Sequence, residues 1–190
     1  MSANIWQGHR VRLRGVEPGD WEVHFEWDQD SEMQRRLGVV HVPRSREGTR
    51  RWAEQEATRT GEDDTYQWEI EALASGEHVG GIGTHLCDRR AGTFRHGLAI
   101  REEHQRKGYA SEAILLVCRY YFDELRYQKV TTTVYSFNEP SIRLHERLGF
   151  QLEGRLRRMI YTHGQHYDAL FYGMTVEEFR ERHATALPEA

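Results

Sequence analysis

The chain has 190 residues, 38% of them apolar and 29% charged, which suits one soluble globular domain with a sizeable core and excludes a disordered chain. A formal net charge of −4 argues against a dedicated nucleic-acid binder, and no apolar run is long enough to span a bilayer. Two cysteines, Cys87 and Cys118, make no disulfide framework and the chain opens without a signal-like segment, so the predicted compartment is the reducing cytoplasm.

No period of roughly 20–50 residues recurs, which excludes a repeat architecture. His9-Arg10-Val11-Arg12-Leu13-Arg14 alternates with period two and reads as a strand with one wet face. Pro18-Gly19-Asp20 turns the chain into a short helix carrying Trp21, Phe25 and Trp27. Ser45 to Thr60 reads as a helix capped by Ser45, with Trp52 and Ala53 turned inward, and Gly61-Glu62-Asp63-Asp64 breaks it. From Tyr66 the pattern alternates. Tyr66–Leu73, Val79–Leu86 and Thr93–Ile100 form a predicted antiparallel meander, with turns at Ser75-Gly76 and Asp88–Gly92.

Gln105-Arg106-Lys107-Gly108-Tyr109-Ala110 follows the third of these strands and opens a helix. Ala110, Ala113, Ile114, Val117, Tyr121 and Leu125 recur there at helical spacing over about four turns, with Cys118 as core. A strand, a Gly-containing turn and a helix N-terminus in that order can hold phosphate, because unpaired N–H groups and the helix dipole point outward. Gly108 allows close backbone approach, and Arg106 and Lys107 add positive charge. The turn matches neither the P-loop nor the dinucleotide fingerprint, so taken alone it also reads as an ordinary strand-to-helix turn.

Lys129 to Tyr135 is β-branched and strand-like, and a second helix runs from about Pro140 to Leu148 with Gly149 as its C-terminal stop. Two closing strands, Phe150–Arg158 and Tyr167–Met174, meet across Thr162-His163-Gly164. The predicted core spans about 9–174 of a single domain over 1–190, leaving 175–190 as a short tail. Residues 97–135 should form a right-handed parallel crossover, with the phosphate-suitable turn at the carboxyl end of its first strand.

Gln105-x-x-Gly108-x-Ala110, followed roughly thirty residues later by Asn138-x-x-Ser141-x-x-Leu144-x-x-x-Leu148-Gly149-Phe150, resembles the GNAT N-acetyltransferases. The nearest branch is the Rim type, named for ribosomal-protein N-terminal acetyltransferases. The resemblance spans about Trp6 to Met174 and is strongest over 97–150. It implies a mixed α/β fold: a mostly antiparallel sheet of roughly six or seven strands, split by one splayed parallel pair, with helices on both faces. It implies acetyl-CoA as co-substrate, its pyrophosphate on the turn Gln105, Arg106, Lys107, Gly108, Tyr109, Ala110 and Ser111. The pantetheine arm would lie between the splayed strands, pairing with backbone near Leu98, Ala99 and Ile100 and passing Asn138. Asn138 reads equally as a helix-start residue.

Acetyl transfer by direct attack needs a neutral amine, a stabilised oxyanion and a proton for the departing thiolate. By family analogy Ser141 gives that proton or a hydrogen bond. His145 stands where many relatives carry a catalytic Tyr, so it is either the acid or a packing residue. Glu69, Glu71 and Glu153 are candidate bases, Glu69 foremost, and each also reads as part of a solvated strand face. His85 is a further group that could face the acceptor cleft. Neither cysteine falls in the predicted cleft, so no acyl-enzyme nucleophile is expected. His163-x-x-His166 lacks a third ligand and no metal is predicted, while Arg155, Arg157 and Arg158 read as a solvated strand end or as a basic patch for an acidic acceptor.

The predicted activity is therefore transfer of acetyl from acetyl-CoA to a primary amine, either a protein N-terminal α-amine or a small molecule. The alternative is a non-catalytic acyl-CoA-binding or regulatory module. Nucleic acid and membrane are not expected partners, and a homodimer is left open.

Overall fold

The computed structural model describes residues 4–61 and 63–188. Its strands are β1 (Val11–Arg14), β2 (Gln67–Ala72), β3 (His78–Asp88), β4 (Thr93–Ile100), β5 (Lys129–Tyr135), β6 (Gln151–Thr162) and β7 (Gln165–Thr175). They form one seven-stranded sheet in the order β1-β2-β3-β4-β5-β7-β6. Only β4 and β5 run parallel; every other neighbouring pair is antiparallel. The mixed sheet with a single parallel pair is the architecture that the resemblance implied.

Alternation along the strands assigns the two faces. Phe94, on one face, stacks on Tyr121 at 3.9 Å between ring centroids. That face is covered by α4 (Tyr109–Arg119), whose residues Ala113 to Cys118 are all buried. A π-helical turn, Tyr120–Glu124, extends α4, so the predicted long helix changes its winding where Tyr121 must reach across the sheet. Its hydroxyl meets Thr84 Oγ1 at 2.6 Å and also donates to the carbonyl of Asp64. The helix α5 (Glu139–Leu148) lies on the same side, because His145 packs on His96, which shares the parity of Phe94. The opposite face carries α1 (Trp21–Trp27), α2 (Ser31–Leu37) and α3 (Arg46–Ala57).

Two elements correct the sequence expectation. The helix α2 was not predicted: its apolar positions are few, yet Asp30 caps it through the N–H groups of Glu32 and Met33, and Gly38 ends it at φ 116°. The supposed tail contains α6 (Val176–His183), opened by a capping box between Thr175 and Glu178. Its Phe179 is buried against Phe122, with ring centroids 5.3 Å apart. The turn between β3 and β4 is locked by Asp64. Its carboxylate takes two bonds of 2.6 Å from Arg89 and one of 2.9 Å from Tyr127, and Arg89 above all holds the carboxyl below its usual range.

Candidate active site

Parallel strands that twist apart leave backbone groups without partners. Here the β4–β5 ladder pairs Thr93 with Lys129, Phe94 with Val130 and Arg95 with Thr131, and then stops. One residue further, Thr132 Oγ1 donates to the carbonyl of His96 at 3.2 Å, and beyond that the strands diverge. A continuous cleft of about 2150 Å³ occupies the gap, lined by Ser141 and Leu144 of α5 on one side and by Trp27, Met33 and His85 on the other.

The bond from Arg101 N to Val79 O fixes which β4 groups face β3. By alternation Ala99 pairs with Gly81, its register partner, while the N–H and C=O of Leu98 and the N–H of Ile100 point into the gap. Leu98 and Ile100 thus present edges that an amide-bearing arm would satisfy. The backbone of Ala99 does not, although the residue lines the cleft.

At the open end of the gap lies the Gln105–Ser111 turn. Gly108, at φ 87°, is the N-cap of α4, and no side chain caps that helix. The first helical N–H groups, of Tyr109, Ala110 and Ser111, therefore lack partners within the helix, as an anion site requires. Gln105 serves the turn differently from the expectation. Its amide donates to the carbonyl of Ile100 at 3.1 Å, tying the turn to the strand it leaves. Arg106 adopts φ 61° and lines the cleft beside Lys107. These residues fit a diphosphate.

Three further groups act at this end: Glu112, Arg10 and Arg147. Glu112, buried in the first turn of α4, accepts backbone N–H groups from His9 at 2.9 Å, Arg10 at 2.7 Å and Val11 at 2.8 Å. That clamp holds the entry to β1 against the turn. Arg10 in consequence donates to the carbonyl of Lys107 at 3.1 Å, and a Cβ on Gly108 would strike its guanidinium. From α5, Arg147 reaches Ser111 Oγ at 3.4 Å. The signal for Glu112 was its place one residue after Ser111, but its partners are about a hundred residues away in sequence.

Asn138 is the N-cap of α5, accepting from Ser141 N at 3.3 Å, and its amide donates to the carbonyl of Arg36 at 3.4 Å. The helix-start reading of this residue holds, and it also joins α5 to the end of α2.

His145 is 1% exposed, edge-on to Phe150, with its ring 5.4 Å from that of His96. Its Nδ1 lies 2.8 Å from the carbonyl oxygen of Ser141, which can only accept, so the proton sits on Nδ1. Its Nε2 faces His96 Nε2 at 3.2 Å. With both rings neutral, His96 must donate there and His145 accept. Burial pushes both imidazoles below the usual histidine range, His96 furthest. The Nδ1–H of His145 is thus committed to a backbone carbonyl, and its other nitrogen is turned into the core. Ser141, with Oγ 3.4 Å from His145 Nδ1, is the hydroxyl left facing the cleft.

Glu69 corrects the expectation of a solvated face. Its carboxylate is 0% exposed and gripped by His24 Nε2 at 2.8 Å and His78 Nε2 at 2.6 Å. Burial works to raise its pKa, but the hydrogen bonds of the two histidines outweigh this and hold the group below its usual range. It does not line the cleft; Trp27, packed on both histidine rings, does. Glu71 pairs with Arg12 at 2.8 Å, and Glu153 with Lys129 at 2.5 Å, both away from the gap. His85 is exposed into the cleft. Among the described residues no group of His, Cys, Asp and Glu has the arrangement of a metal site. Likewise, among the described residues no helix is long and apolar enough to cross a membrane.

Residues 10–151 match the family model described as an acetyltransferase (GNAT) domain. The chain is 45% identical over 183 residues to the SPbeta prophage-derived uncharacterized N-acetyltransferase YokL of Bacillus subtilis, covering 96% of this chain and 99% of that one. The putative ribosomal N-acetyltransferase YdaF of the same organism is 31% identical over 107 residues, 56% of this chain and 58% of its own. Among solved structures, an acetyltransferase (GNAT family) from Bacillus anthracis superposes with a TM-score of 0.76 at 25% identity, covering 90% of this chain and 98% of that one. The chain therefore belongs to the GNAT family, and it is an acetyl-CoA-dependent N-acetyltransferase.

Proposed function

We propose that this protein acetylates the α-amine of a peptide or protein N-terminus, by direct attack on acetyl-CoA held in the β4–β5 gap. The observation that carries the reading is a gap lined from both faces of the sheet, by Ser141 and Leu144 on one and by Trp27 and Met33 on the other. It offers unpaired strand edges and a helix N-terminus to the donor, and a broad mouth to the acceptor. That mouth is bordered by Leu37 of α2, which is 51% exposed and leads into a loop with Val39, Val40 and Val42 also exposed. A chain terminus can rest there with its amine inside. The likeness to a putative ribosomal N-acetyltransferase supports the same acceptor class.

In this reading Arg10, Arg106, Lys107 and the N-terminus of α4 bind the diphosphate, and Leu98 and Ile100 pair with the pantetheine amides. Ser141 donates to the leaving sulfur. Asn138 and His145 act behind it: one caps α5, the other packs that helix on the sheet so that Ser141 faces the gap. Glu69 positions α1, and with it Trp27 at the acceptor wall, through His24. No covalent acyl-enzyme forms: among the described residues Cys118 is buried, burial raises its thiol far above the usual range, and Cys87 lies outside the cleft.

The test is thiol release from acetyl-CoA against a panel of N-terminal peptides, the same peptides blocked at the N-terminus, and aliphatic diamines. Turnover that is lost on blocking supports the reading. Turnover of diamines alone replaces the acceptor class, and tight CoA binding without turnover on any acceptor supports a regulatory module instead.

A further inference from the structure

The geometry points to His85 as the proton acceptor for the incoming amine. This rests on the acetyltransferase reading and names a residue that neither motif contains.

The register sets His85 of β3, Arg95 of β4 and Thr131 of β5 in one row, and that row is the last paired one before the gap opens. Thr84 sends its hydroxyl to Tyr121 on the α4 side, so His85 projects to the opposite face, where the acceptor enters. Diagonal to it on that face Gly97 leaves the floor open, since a Cβ there would meet nothing within 4 Å, while its partner Gly83 is covered by the Gln67 side chain. Immediately after His85 the ladder is broken: the register slips before Asp88 and Leu86 adopts φ 49°. A bulge carrying a bulky residue in the left-handed region is strained, and such devices re-aim a side chain beside a site.

The chemistry of the neighbours agrees. An ammonium acceptor needs a neutral base at the apex, and the carboxylate that sequence nominated, Glu69, is capped by two histidines and sealed from the cleft. Partial burial first, and the Arg95 guanidinium second, hold the His85 imidazole below the usual histidine range. Arg95 itself lies over the ring of Phe171 at 5.5 Å, beside the apex. The charged or titratable groups that bear on His85 are Arg95 on the adjacent strand and His96 through the sheet, itself neutral.

The step balances. The ammonium gives one proton to His85 and becomes nucleophilic; its nitrogen bonds to the acetyl carbon as the carbon–sulfur bond breaks. The second amine proton replaces the one that the thiolate takes from Ser141, and His85 returns its own to solvent. Net, one ammonium and one thioester give one amide, one thiol and one proton.

The experiment compares two probes at high concentration, hydroxylamine, which is neutral at pH 7, and propylamine, which is protonated. His85→Gln should lower kcat/KM for propylamine on the order of 100-fold while leaving hydroxylamine and coenzyme A affinity within about twofold. By NMR the His85 ring should titrate below the ordinary value of about 6.5 and move upward in Arg95→Gln. Equal losses on both probes, no loss on either, or a wild type that uses hydroxylamine but not propylamine would each overturn the assignment. Failure of the wild type on both probes and on every N-terminal peptide would instead overturn the acetyltransferase reading itself.

Discussion

The Nε2 atoms of His96 and His145 meet at 3.2 Å below the apex of the splayed strands, and one proton between them serves both rings. Both rings are buried, and burial favours the neutral form of each. Their folded-state pKa values lie below the unfolded one, so the unfolded chain takes up protons first as pH falls. The stabilisation is complete above about pH 6.5 and is lost as pH drops through that value, by up to about 1.4 kcal/mol per pH unit for each ring. Urea unfolding between about pH 7.5 and 5.5 should show this slope, and a His96→Phe, His145→Phe double variant should flatten it. An unchanged slope in the double variant would contradict the neutral pair.

Ser141 and His145 share one helix turn and both line the cleft, yet the imidazole nitrogens are committed to the Ser141 carbonyl and to His96, which leaves the serine hydroxyl for the donor. Ser141→Ala should lower kcat by about 10- to 100-fold with coenzyme A affinity unchanged, since a donor to the leaving sulfur acts mainly in the transition state. Equal losses in turnover and affinity would make Ser141 a binding residue.

Glu69 ties α1 to the sheet through two histidines in a dry environment. Glu69→Leu strands both imidazoles and should cost about 2–4 kcal/mol of stability, read by urea unfolding. Because Trp27 packs on the same rings, acceptor KM should rise more than coenzyme A affinity falls. A stability change within experimental error would remove Glu69 from the framework.

Glu112 gathers three backbone N–H groups at the start of β1, and its Gln replacement offers one oxygen in place of two. Glu112→Gln should cost about 1–3 kcal/mol and weaken coenzyme A binding several-fold, because Arg10 loses its hold on the phosphate turn. Loss of stability with full affinity would separate the clamp from the site.

The parts of this molecule that repeat with a local period were legible in the sequence. Thr93–Ile100 and Lys129–Tyr135 have the predicted bounds, and Glu139–Leu148 differs from its prediction by one residue. What stayed hidden depends on distant partners. Glu69 alternates like a wet-face residue, and only the packing of α1 and α3 over that face turns it into a buried carboxylate. His96 follows Phe94 at strand spacing, and its partner is 49 residues on. The capping box at Thr175 and Glu178 is a local signal for α6.

Every role assigned at the site depends on donor binding at the turn that opens α4. Calorimetric titration of acetyl-CoA into the folded protein should give one site with a Kd on the order of 1–100 μM, in the range of ordinary enzyme KM values. Gly108→Glu places a carboxylate and a Cβ against Arg10 and the phosphate position, so it should abolish that heat while urea unfolding remains cooperative. Undiminished binding in the folded Gly108→Glu protein, or no binding by the wild type, would contradict the account.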